Sequence, residues 1–145
     1  MFRIITVNGD SMLPNLKNGN KVLLSCMDRN FSSGDIVVID KGGIKLNQVI
    51  IKRVIATEGQ TVDINSSGMV SVNGVEIDES DYIENGITKN DGYDLEFPQT
   101  VPEGHVFVLG DNRKISDDSR SSDVGMVDER YIIGKFKFVL MPIEK

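Results

Sequence analysis

With 145 residues, 39% hydrophobic and 26% charged, the chain has the composition of one ordinary globular domain, long enough to bury a core without metal or disulfide staples. A net charge of −6 argues against a nucleic-acid partner, which calls for a basic face, and leaves a protein or peptide substrate open. One cysteine, Cys26, excludes an internal disulfide, and with a single histidine, His105, it supplies too few ligands for structural zinc, so no metal or cofactor is expected.

The elements read in chain order are strands. Phe2 to Val7 is rich in β-formers and stops at the turn cluster Asn8-Gly9-Asp10. One short helical turn is predicted over Met12 to Leu16. Strands follow at Lys21–Ser25, Asp35–Asp40, Val49–Ala56, Thr61–Ile64, Met69–Val72 and Val75–Ile77. Asn73-Gly74 marks a two-residue hairpin between the last two. Val106–Leu109 and Tyr131–Leu140 complete the set, and no long stretch keeps a helical period. Cys26 reads as a small buried strand residue. The fold class is therefore mostly β, with antiparallel sheets closed into a sandwich or barrel. Gly, Asn, Asp and Glu concentrate toward the middle of the chain. We read residues 1–60 and 105–145 as the core and 61–104 as an inserted, smaller β-rich cap region.

The longest apolar runs fall far short of the ~20 residues that span a bilayer, and no signal peptide precedes Phe2. Phe136, Phe138 and Leu140 alternate with Lys135, Lys137 and Val139, an apolar face that reads as core or as a membrane contact.

Three segments can carry chemistry. In Gly9-Asp10-Ser11-Met12-Leu13-Pro14, the serine is either exposed in a cleft, with its N–H as half of an oxyanion hole, or an N-cap for the turn that follows. On the strand around Lys52, alternation places Lys52 with Ile50 and Val54, and Arg53 with Ile51 and Ile55. One charge must then sit among apolar neighbours. A buried lysine loses preference for its ammonium form and can serve as a general base; the alternative is a snorkelling edge-strand lysine. The polar loop Gly110-Asp111-Asn112-Arg113, continuing through Ser116, Asp118, Ser119 and Arg120, follows an apolar strand. Its Asp and Arg side chains can interlock through bidentate hydrogen bonds, or the loop is simply solvated.

Taken together, Gly-Asp-Ser-Met-x-Pro, then Lys52-Arg53-Val54-Ile55, then Gly110-Asp111-Asn112-Arg113-x-x-Ser116-x-Asp118-Ser119-Arg120, resemble type I signal peptidases of single-membrane bacteria. The tail Gly125-x-Val127 to Ile133-Gly134-Lys135 adds to the likeness, which covers nearly the whole chain and is weakest over 61–104. The resemblance implies a signal-peptidase-like antiparallel β catalytic core with an inserted cap. It implies Ser11 as nucleophile, Lys52 as general base, Met12 packed beside the site, and Ser116 orienting the lysine. Asp118 and Arg120 are expected as a salt-bridged support, with Asp111 and Arg113 bracing the same loop.

The implied substrates are secreted preproteins cut after small residues in an Ala-x-Ala-like pattern at the extracytoplasmic membrane face, beside phospholipid. Pilus subunits are a narrower substrate class. Relatives carry an N-terminal transmembrane anchor, which this chain lacks and which is expected to have been removed ahead of Phe2. Gly9 stands where some relatives place a hydroxyl residue, so only backbone donors would serve the oxyanion. Asn15 replaces the usual small hydroxyl residue after Pro14, and Gly59-Gln60 replaces Gly-Asp. These departures keep a second reading in view, a non-proteolytic assembly factor for pili or other surface proteins. A LexA-type self-cleaving domain also uses a Ser-Lys pair, but only ten residues precede Ser11. His105, at a strand start, is not expected to be catalytic.

Overall fold

The computed structural model describes residues 1–40, 49–83, 86–88, 90 and 92–140. Its strands are β1 Phe2–Thr6, β2 Lys21–Ser25, β3 Ile36–Ile39, β4 Ile50–Thr57, β5 Thr61–Ile64 and β6 Val70–Val72. They continue with β7 Val75–Glu76, β8 Gln99–Thr100, β9 His105–Leu109, β10 Val127–Asp128 and β11 Ile132–Leu140. A seven-stranded sheet runs β1-β2-β11-β3-β4-β9-β10, and a four-stranded sheet runs β7-β6-β5-β8. Every pairing is antiparallel. The mostly-β expectation therefore holds.

Two strands, β8 and β10, have two residues each and are too short to show alternation, so the sequence reading missed them. It also missed a 3-10 turn at Glu129–Tyr131, which Asp128 caps by accepting a hydrogen bond from the Arg130 N–H. The predicted turn at Met12 to Leu16 closes through Leu16 N–H donating to the Met12 carbonyl at 3.0 Å. At the β6–β7 hairpin, Asn73 (φ 52°) and Gly74 (φ 79°) both lie in the left-handed region, as a primed two-residue turn requires.

β4 is the strand that positions the site, and it is covered on both faces. Ile50 and Val54 pack with Val37, Val106, Val108 and Ile132. Ile51 points the other way, to Val7, Met12, Leu16, Val22 and Val38. A register shift against β9 between Val54 and Ala56 then turns Ile55 and Ala56 into a third cluster with Phe107 and Leu109. That cluster also holds Val62, Ile64 and Val70, so both sheets bury the same apolar seam. Phe107 closes it edge-on to Phe97, with ring centroids 5.8 Å apart.

A second bulge corrects the expected apolar face of β11. The register against β2 shifts between Phe136 and Phe138. Phe136 and Val139 consequently pack inward on the second cluster, while Phe138 is 53% exposed. Phe138 instead aligns across the sheet with Leu23, which aligns with Ile4, 60% exposed. Cys26 is half-buried just beyond the end of β2, because strand pairing stops at Ser25. His105 is half-buried at the first residue of β9, with its Nδ1 2.8 Å from the Glu103 carbonyl.

Phe107→Ala removes a fully buried ring and is expected to lower unfolding stability by about 3–5 kcal/mol, measured by urea denaturation. Phe138→Ala, on the exposed side of the bulge, is expected to change it by less than about 0.5 kcal/mol.

Candidate active site

Ser11 lies in the segment that leaves β1. Val7 N–H donates to the Asn20 carbonyl, and Gly9 N–H donates to Asn18 Oδ1, at 2.8 Å each. Gly9 has φ 89°, a left-handed conformation that glycine adopts without strain. Leu13 N–H then donates to the Asp10 carbonyl, closing the turn around the serine. Met12, 1% exposed, anchors that turn in the core, so Ser11 faces outward on a rigid support.

A cleft of about 510 Å³ opens beside it, lined by Val7, Gly9, Ser11, Ile50, Ile51, Lys52 and Asp117 among others. Lys52 reaches this cleft from β4 and is only 3% exposed. It makes no ion pair or hydrogen bond among the described residues. Burial, the dominant influence, pushes its pKa below the ordinary lysine value of 10.5, against an opposing upward pull from Asp118 and Asp117. A lysine in this state gives up its proton more readily than one on the surface.

Arg53, its neighbour in the chain, faces the opposite way and is tightly held. Its Nε and Nη2 donate to the two Asp111 oxygens at 2.8 and 2.7 Å, and Nη1 donates to the Gly34 carbonyl at 2.8 Å. The guanidinium lies 4.0 Å from the Tyr82 ring centroid. Both cations of the pair are thus removed from solvent, where the sequence reading asked this of one.

The polar loop after β9 docks directly onto the serine segment. Asn112 N–H donates to the Ser11 carbonyl at 2.9 Å and Asn112 Nδ2 to the Asp10 carbonyl at 3.1 Å. Gly110 makes this approach possible: a Cβ there would stand 2.7 Å from the Ser11 carbonyl oxygen and against the Ser116 side chain. Asp118, fully buried, accepts from Gly110 N–H at 3.0 Å and pairs with Arg120 through Nε and Nη2 at 2.9 Å each. The Ser116 hydroxyl is buried and has no hydrogen-bond partner among the described residues. Tyr93 donates from its hydroxyl to the Ser116 carbonyl at 2.7 Å, and its ring stacks 4.0 Å from the Arg120 guanidinium.

Asp111 and Arg113, expected to brace the loop, pair with residues outside it. Asp111 pairs with Arg53, and Arg113 pairs with Glu79 at 2.6 Å while also donating to Thr88 Oγ1 at 2.6 Å. Each therefore ties the loop to a different part of the chain. Asn15 donates to Asp111 Oδ2 at 2.8 Å and to the Tyr82 carbonyl at 2.7 Å. Sequence reasoning missed Glu79, Asp117 and the bridging use of Asn15, because nothing local marks residues whose partners lie far along the chain.

The family described as signal peptidase, peptidase S26, matches residues 1–141. Signal peptidase I S of Bacillus subtilis is 34% identical over 153 residues, spanning 100% of this chain and 80% of its own length. Probable signal peptidase I-1 of Synechocystis is 35% identical, spanning 96% of this chain and 71% of its own. The crystal structure of a signal peptidase I from Enterococcus faecalis superposes with a TM-score of 0.56 at 32% identity, covering 74% of this chain and 97% of that one.

The buried amine carries a pH signature in stability. Below the lowered Lys52 pKa, folded and unfolded chains both hold the proton and the burial penalty is fully present. Between that value and 10.5 only the unfolded chain holds it, so stability rises with pH across this window. Lys52→Met is expected to be more stable than the parent at neutral pH and to lose this rise, read as melting temperature against pH.

Proposed function

The chain belongs to the signal peptidase family, peptidase S26, a premise from which we propose that Ser11 and Lys52 form the dyad that hydrolyses its substrates. The observation that carries this reading is a buried amine, unpaired among the described residues, lining the same cleft as a serine on a rigid turn. Neutral Lys52 Nζ takes the Ser11 proton as Oγ attacks the scissile carbonyl carbon. The ammonium then protonates the leaving amine, and an acyl-enzyme remains. Lys52, neutral again, deprotonates the water that releases the acyl group and regenerates Ser11. The Ser11 N–H is the proposed donor to the oxyanion, since Gly9 offers no hydroxyl. The unpartnered Ser116 hydroxyl has capacity left to orient Lys52, and the Asp118–Arg120, Asp111–Arg53 and Arg113–Glu79 pairs hold its loop.

The chain is a peptidase that removes signal peptides from preproteins, by its membership of this family. Small residues before the scissile bond suit a cleft whose walls include Val7, Ile50 and Ile51. Pilus subunits are a narrower class that the same cleft would accept. Nothing in the comparisons supports a non-proteolytic assembly factor. Residues 1–60 and 105–145 are proposed as the catalytic core and 61–104 as its cap.

The working location proposed is the extracytoplasmic face of the cell membrane, although among the described residues no helix is long and apolar enough to cross it. Phe2, Ile4 and Phe138, each more than half exposed, form with Leu23 an apolar patch at the β1 side of the large sheet. That patch is the proposed contact with phospholipid.

A signal peptide ending in Ala-x-Ala, incubated with the protein and phospholipid, is expected to be cut after the second alanine. Ser11→Ala and Lys52→Ala are each expected to lose about 10²–10⁴ of kcat/KM. For the parent, kcat/KM should rise with pH until Lys52 is deprotonated and then level off, below the pH of an ordinary lysine. Cleavage that survives Lys52→Ala would sink the lysine-base mechanism.

A further inference from the structure

Asp117 lines the cleft that holds Ser11 and Lys52, where its charge opposes the downward shift of Lys52, and it takes no part in the bond-making steps. It sits between two buried residues, Ser116 and Asp118, yet is itself exposed at the mouth of the cleft. The other carboxylates of its loop have counterions: Asp111 has Arg53, and Asp118 has Arg120. Asp117 has no ion-pair partner among the described residues; Ser121 donates a hydrogen bond to it, and Lys52 attracts it from across the cleft. Partial burial, together with Asp123 and Asp118 nearby, holds its carboxyl above the usual range. An arriving cation would relieve that repulsion. Among the described residues, the charged groups of the cleft wall apart from Lys52 are Asp10 and Asp117, both acidic.

We propose that Asp117 is a specificity-determining residue, favouring preproteins with a lysine or arginine near the scissile bond and disfavouring those with glutamate or aspartate there. This rests on the reading that substrate lies across Ser11 in this cleft. The residue does not touch the reacting atoms. It biases which peptide is held there, by a charge interaction across the mouth of the cleft.

The test uses pairs of Ala-x-Ala peptides that differ only by Lys or Glu, placed in turn at the middle position and at the first and second residues beyond the bond. The Lys/Glu ratio of kcat/KM is measured for the parent, Asp117→Asn and Asp117→Lys. Taking a ratio within one protein cancels any effect of the substitution on Lys52. At one or more positions the parent is expected to favour Lys by about three- to fivefold, shrinking toward one at about 0.5 M salt. Asp117→Asn should bring the ratio near one and Asp117→Lys should invert it. Glu76→Gln, on the exposed strand β7, should leave it unchanged.

The same ratio is read as peptide affinity on the Ser11→Ala protein, so the charge preference is decided even if the parent cuts nothing. Ratios equal in the parent, Asp117→Asn and Asp117→Lys, in both turnover and affinity, would overturn the proposal while leaving the dyad standing.

Discussion

The ion pair between Arg53 and Asp111 joins the three segments from which the cleft is built. Arg53 is the chain neighbour of Lys52 on β4, so fixing its guanidinium at Asp111, Gly34 and the Tyr82 ring also fixes the rotation of that strand. Asp111 in turn begins the polar loop and accepts the Asn15 amide from the turn that carries Ser11. A buried pair of this kind contributes little net stability, because desolvation offsets most of the attraction. Its value here is geometric, since removing either partner would leave the other charge buried and uncompensated.

Much of this was legible because strand alternation is a strict rule. It placed Ile50 and Val54 on one face from neighbouring residues alone, and those two pack in one cluster. It failed for Ile55 and for Phe138, each displaced by a bulge that leaves no mark in the hydrophobic pattern. Motif spacing picked out the residues of the polar loop and its Asp118–Arg120 pair, but not the partners that lie far along the chain. Arg113 and Glu79 are 34 positions apart, and Asp111 and Arg53 are 58 apart. Such pairings follow from topology, which no local pattern encodes.

Two of the departures in sequence, Asn15 and Gln60, have physical uses in this fold. Asn15 has an amide that donates twice, to Asp111 and to the Tyr82 carbonyl, a bridge that a small hydroxyl with one proton could not make. Gln60 accepts from Thr57 N–H at 2.8 Å and closes the turn between β4 and β5. Asn15 thus braces the loop beside the serine turn, while Gln60 serves the β4–β5 turn.

The docking of Asn112 on Asp10 and Ser11 spans about a hundred residues of chain. During synthesis Ser11 and Lys52 emerge early, while Gly110 through Arg120 emerge last among the residues that frame them. Until that late segment closes over the serine turn, Asp111 cannot clamp Arg53, and the lysine lacks the enclosure that lowers its proton affinity. The proposed dyad therefore depends on a segment made well after both of its members, and a growing chain that stops short of Gly110 carries Ser11 and Lys52 without the loop that encloses them.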